Sequence, residues 1–153
     1  MKNVQEIKNK LYETCLLFVE EKHNTVTSII ESNKKALFSE TKSSAGDKHE
    51  TGRAMLQLEM EKAGQQLKVV QQMQEQISRI DVNSKNSIGC LGSLITTNSH
   101  NYYLAISIGK VTINSEDYYV ISPNSPIGKL LLGKTEKQEI HFNGNKYIID
   151  VIL

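Results

Sequence analysis

Apolar residues follow two different periods along this 153-residue chain, and the change of period divides it. From about residue 3 to 80 the spacing is helical. The first arm carries Val4, Ile7, Leu11, Cys15, Phe18, Val26 and Ile29. The second carries Leu56, Met60, Ala63, Leu67, Val70, Met73, Ile77 and Ile80, at steps of three and four. Such steps predict a narrow apolar seam, the pattern of a two-helix coiled coil. Glu, Lys and Gln fill the positions between, including Gln65-Gln66 and Gln71-Gln72, as on a solvated outer face. An amphipathic helix cannot hide its seam alone, so the arms pair with each other or with another chain. The Ser39–Asp47 stretch, rich in Ser, Thr, Lys and Gly, lets the chain reverse. An antiparallel hairpin within one chain is therefore expected, with arms of about 45 Å for roughly 30 residues each. A parallel dimeric coiled coil is the competing arrangement.

From about residue 88 the segments shorten and become rich in β-branched and aromatic residues. Leu91–Thr97, Tyr102–Ile108, Tyr118–Ser122, Glu139–Phe142 and Tyr147–Leu153 read as strands. Asn98–Asn101, Asn114–Asp117 and Asn143–Asn145 read as turns, and Asn143-Gly144 is a strong hairpin signal. One short helix interrupts them: Ser125 as N-cap, Pro126 at the first helical position, Leu130–Leu132 inward and Gly133 as the stop. The fold class is thus α+β. A helical coiled-coil hairpin over 1–82 precedes a small sheet domain over 88–153, with Asp81–Ser87 as the hinge.

Composition removes several classes of function. A formal net charge of +1 provides no global field to recruit nucleic acid or an acidic membrane. No apolar run approaches the ~20 residues that span a bilayer. The opening Met-Lys-Asn-Val-Gln-Glu passes straight into the amphipathic pattern, which predicts no signal peptide and a cytoplasmic location. Cys15 and Cys90 lie far apart without metal-ligand spacing and read as buried free thiols. His23, His49, His100 and His141 are equally scattered, and no nucleophile elbow, dinucleotide or phosphate-loop pattern occurs.

What remains is a pair of acids, Asp47 and Glu50, at the turn of the hairpin. Asp-x-x-Glu is a helix-capping arrangement, with Asp47 as N-cap and Glu50 reaching back. Asn3-Val-Gln-Glu6 has the same shape at the head of the first arm. The two roles are compatible, because a cap fixes carboxylates at a helix tip. Lys48 and Arg53 stand beside the pair and weaken its hold on a cation. Lys34, Lys35 and Lys42 cluster toward the same end.

Gly46-Asp47-Lys48-His49-Glu50 resembles the tip motif of the bacterial Gre family of transcript cleavage factors, a Gly-Asp dipeptide followed after two residues by Glu. The segment from Ser122 to Lys134 resembles that family's Ser-Pro…Gly-Lys stretch, and the closing Ile140–Ile152 hairpin resembles its last strand pair. The resemblance covers most of the chain from about residue 40.

It implies an FK506-binding-protein-like antiparallel sheet for the second half, docked on RNA polymerase through Asn124, Ser125 and Pro126. The hairpin would enter the secondary channel. Lys48 and Arg53 depart from the family's pattern, and with Lys34, Lys35 and Lys42 they form the basic cluster read from the residues themselves as candidate contacts to polymerase acids or the nascent RNA 3′ end. Asp47 and Glu50 would act as catalytic and metal-binding acids only jointly with the polymerase. Mg²⁺ would be supplied at the polymerase active site, with none held by the isolated protein. The chain would then be a monomeric factor that stimulates the polymerase's own RNA cleavage, not an enzyme by itself. Three other readings compete: a channel-binding regulator without cleavage, a prolyl isomerase or chaperone, and a self-assembling coiled-coil scaffold.

Overall fold

The computed structural model describes residues 3–42 and 47–153, without the side chains of residues 40–50. Two long helices come first, α1 (Val4–Lys42) and α2 (Asp47–Ser78). Strands β1 (Leu94–Thr97), β2 (Asn101–Leu104), β3 (Gly109–Ile113) and β4 (Glu116–Ile121) follow, then α3 (Pro126–Leu131), β5 (Glu139–Phe142) and β6 (Asn145–Ile152). Contacts group the chain into two compact units, one of residues 1–18 with 75–153 and one of residues 19–74.

The 19–74 unit is a pair of helices held by their seams. Along α1, Val19, Val26 and Asn33 are buried at sevenfold spacing, with half-buried His23, Ile30 and Leu37 between them. This alternation of four and three is a full heptad register. Along α2, Ala63 and Val70 are buried, flanked by half-buried Leu56, Met60 and Leu67. The unit contains no other element, so these residues are buried against one another, as the hairpin reading requires. The register differs from expectation at two places: Val19 is buried where Phe18 was expected, and Ile29 is 40% exposed while Ile30 takes the seam, which also continues to Leu37. The seam also accepts His23 and Asn33, polar residues that a count of apolar positions passes over.

The other unit is built on a six-stranded sheet in the order β3-β4-β2-β1-β6-β5. Four of its neighbour pairs are antiparallel, but β2 and β4 run parallel, with Tyr102 beside Tyr119 and Leu104 beside Ile121. The sheet is therefore mixed where a wholly antiparallel one was expected. Parallel neighbours need a crossover, and residues 105–115 supply it through β3, the strand absent from the sequence reading. Two tight turns close the hairpins. Asn114-Ser115 and Asn143-Gly144 both have positive φ at their two central residues, as the right-handed twist of the flanking strands favours.

The sheet is covered on both faces. On one side Ile95, Tyr102, Leu104, Ile140, Ile149 and Ile152 pack with Ile127 and Leu131 of α3. On the other, Tyr103 lies near Cys15 and Tyr12 of α1, and Ile80 sits against Gly92. Burial on both faces explains the unbroken apolar run from Tyr102 to Ile106. In α3, Ile127 and Leu131 point inward and Leu130 is half-buried, whereas Leu132 is 39% exposed instead of inward. Cys15 is fully buried, but Cys90 is only half-buried; both are free.

Candidate functional site

The residues singled out in the sequence fall into two groups, one in each unit. Asp47, Lys48 and Glu50 occupy the first turn of α2, which begins at Asp47. Their side chains lie outside the described residues, as does that of Lys42. A helix's first turn carries unpaired N–H groups and the positive end of its dipole, which favours ionised carboxylates there. Arg53, one turn further along, is exposed, as are Lys34 and Lys35 on α1. At the head of α1 the parallel Asn3 motif does form a cap: Glu6 N donates to Asn3 Oδ1 at 3.4 Å.

The second group, Asn124, Ser125 and Pro126, is one rigid turn leading into α3. Ser125 Oγ accepts from Gly128 N at 3.1 Å and donates to the Ser122 carbonyl at 2.6 Å. Ser122 Oγ in turn accepts from Asn124 N at 3.1 Å. A Cβ on Gly128 would overlap the Ser122 carbonyl, so glycine is what lets the turn close. The Ser125 hydroxyl thus spends its one proton and accepts one bond inside the turn. Asn124 and Pro126 are exposed.

Tyr102, Tyr119 and Tyr147 pack with His100 ring against ring, at centroid separations of 5.1 to 6.3 Å. Burial pushes the Tyr102 hydroxyl up to about 12, with Tyr147 and Tyr119 adding to the shift. Tyr103 faces the opposite side, and its buried hydroxyl has no hydrogen-bond partner among the described residues. No group of three or more His, Cys, Asp or Glu side chains among the described residues is placed to hold a metal. No described helix is long and apolar enough to cross a membrane.

Sequence reasoning missed Lys8 and Gln76. Lys8 is 4% exposed, and its Nζ donates to the Ser84 carbonyl at 3.1 Å. Burial lowers its pKa, Cys90 and Asp81 oppose that shift, and Lys85 adds to it. The signal was its place between Ile7 and Leu11 on the inward face of α1. Gln76, near the end of α2, reaches the loop after β2 through the Ala105 carbonyl.

No family model matches the sequence, and no curated protein does either. The chain is similar to the solved structure of the transcription factor Gfh1, at 16% identity over 92% of this chain and 92% of that one, with a TM-score of 0.33. That is too weak a likeness to carry fold or function across.

Proposed function

We propose that this chain is a Gre-like transcription factor that binds RNA polymerase, enters its secondary channel with the turn between α1 and α2, and promotes cleavage of backtracked transcripts. The observation that carries the reading is the start of α2 at Asp47, which puts the acidic pair in the first turn after the chain reverses. The paired helices support it, because in residues 19–74 the buried positions run along the seams and the outer faces remain exposed. The exposed Asn124-Pro126 turn supports a docking role for the sheet unit.

Two carboxylates are a reasonable part-set for Mg²⁺, which takes six oxygens and seldom draws all of them from one protein. Asp47 and Glu50 would each lend an oxygen, and polymerase acids, waters and RNA the rest. When bound there, the ion supplies an activated water and charge stabilisation at the leaving oxygen. The chain's own part is to hold the acids on a helix end and bring them to the transcript's 3′ end. The protein would work as a monomer in the compartment of its polymerase.

The test is capture of RNA polymerase by the purified protein, followed by a cleavage assay on halted, backtracked complexes. Binding with cleavage that Asp47→Ala or Glu50→Ala abolishes, while capture persists, is the expected result. Absence of capture overturns the proposal.

A second reading is a channel-binding regulator that acts by occlusion. The exposed guanidinium of Arg53, one turn beyond the acids, favours it by competing with a cation. Capture without cleavage, unaffected by either alanine substitution, would select it.

A further inference from the structure

Within the sheet unit, the first two turns of α1, residues 85–87, the turn at 135–136 and the end of β6 bound an open cleft of about 970 Å³. That is the size of a site for a small organic molecule. Lys8 lines it, and so do Lys85, Asn86, Thr135, Val4 and Ile152.

Two lysines line the cleft against one carboxylate, and Asp81, outside the lining, attracts Lys8 without pairing with it. An ammonium carries three donors, and burying its charge is costly unless it is paired. Among the described residues Nζ of Lys8 has one hydrogen bond, to the neutral Ser84 carbonyl. Among the described residues no carboxylate forms an ion pair with it. Lys85 brings a second ammonium to the exposed rim. Glu136 is the one acidic side chain in the lining, and its Oε1 lies 3.4 Å from Ile152 N as acceptor of that backbone donor. Asn86 and Thr135 add neutral polar groups, while Val4 and Ile152 supply an apolar wall.

We infer that this cleft binds a small organic anion, its carboxylate or phosphate oxygens held between Lys8 and Lys85 and its apolar part against Val4 and Ile152. Oxygen anions supply the ion-pair partner that Lys8 lacks among the described residues, and lysine acts toward them as a point charge without demanding a planar partner. The inference stands apart from the polymerase reading, since neither the acidic pair nor the Asn124 turn takes part in it.

The experiment is titration of the full chain at low ionic strength, in buffer free of phosphate, followed by calorimetry and amide chemical shifts. Hexanoate probes the carboxylate class and glycerol 3-phosphate the phosphate class, with sodium chloride as the control for charge screening. Expected is saturation by one of the two probes, with shifts confined to residues 4–8, 84–87, 135–136 and 152. The probe that saturates identifies the class. Lys85→Ala, on the exposed rim, should weaken binding about tenfold. Lys8→Met keeps the buried stem, removes the charge and should abolish binding in a chain that still melts cooperatively. Saturation by neither probe, shifts elsewhere, or binding unchanged in both variants overturns the inference. So does a Lys8→Met chain that binds as before, whatever its melting temperature, because Lys8 is then only a clamp on Ser84.

Discussion

Nε2 of Gln76 donates to the Ala105 carbonyl at 2.6 Å and lies 3.4 Å from Ser122 Oγ, so one amide ties the end of α2 to two loops of the sheet unit. Gln76→Leu leaves that carbonyl without its donor and should cost about 1–3 kcal/mol in urea unfolding. Gln76→Glu adds a pH signature. A carboxylate facing a carbonyl cannot donate, so its folded pKa is raised. The variant should regain stability at low pH, where it is protonated, and lose it as pH rises through that pKa.

Alkali should destabilise the sheet unit. Burial pushes the Cys15 thiol from 9.0 up to about 12, against an opposing hydrogen bond from the Ile106 backbone. Tyr102 is pushed from 10.0 up to about 12 by burial, and Tyr118 likewise by burial with Glu116 beside it. Folded pKa values above the unfolded ones give stability that is complete below pH 9 and is lost as pH climbs toward 12. Lys8 works in the opposite sense, since its lowered pKa relaxes a penalty as pH approaches 10.5. Each raised group contributes a slope of up to about 1.4 kcal/mol per pH unit. Cys15→Ala should flatten the slope between pH 9 and 10, where the thiol of the unfolded chain loses its proton ahead of the tyrosines while the folded thiol keeps it; denaturant unfolding across that range measures it.

Asn33 is 7% exposed in the α1 seam, and its Nδ2 has no acceptor among the described residues. Replacing a buried amide that lacks a partner with an apolar side chain removes a desolvation cost of about 1–3 kcal/mol. Asn33→Leu should therefore raise the melting temperature of the helical signal. A polar seam residue also pins register, so the gain would come with a less selective pairing.

The turn before α3 should separate stability from recognition. Ser125→Ala removes the cap and should cost about 1 kcal/mol. Gly128→Ala should cost more, because the new methyl meets the Ser122 carbonyl. Asn124→Ala touches neither contact and should leave the melting temperature unchanged while weakening polymerase capture.

The seam of α2 was legible because every residue from Leu56 to Ile80 at three-and-four spacing is buried or half-buried. The seam of α1 was less so. Its polar members His23 and Asn33 break an apolar count, and Ile29 and Ile30 cannot be told apart without a heptad frame. The Asn143-Gly144 turn was legible because two adjacent residues with positive φ demand that chemistry. The strand β3 was not, although Val111-Thr112-Ile113 before Asn114-Ser115 carries the same kind of signal. Its neighbour Tyr102–Ile108 read as one long strand because it is apolar throughout, and burial on two faces hides where β2 stops. The parallel pairing of β2 with β4 depends on contacts remote in sequence, which no local pattern records. For the candidate site, Asn124 to Pro126 were legible as a capped turn, whereas Lys8 and Gln76 matter only through backbone carbonyls that the fold brings to them.

The order of the sheet has a consequence for synthesis on the ribosome. β1 lies between β2 and β6, and Leu94 and Leu153 exchange backbone hydrogen bonds of 2.9 Å in both directions. A nascent chain that has just released β1 still lacks about fifty residues before its second neighbour emerges, a span set by loop closure over the intervening strands. Until then Ile95 and Leu11 have no finished core to enter, and the paired helices of residues 19–74 are the part able to fold first. Stalling late in translation should leave a chain with its helical hairpin made and its sheet unclosed, open to the chaperones that meet unpaired strand edges.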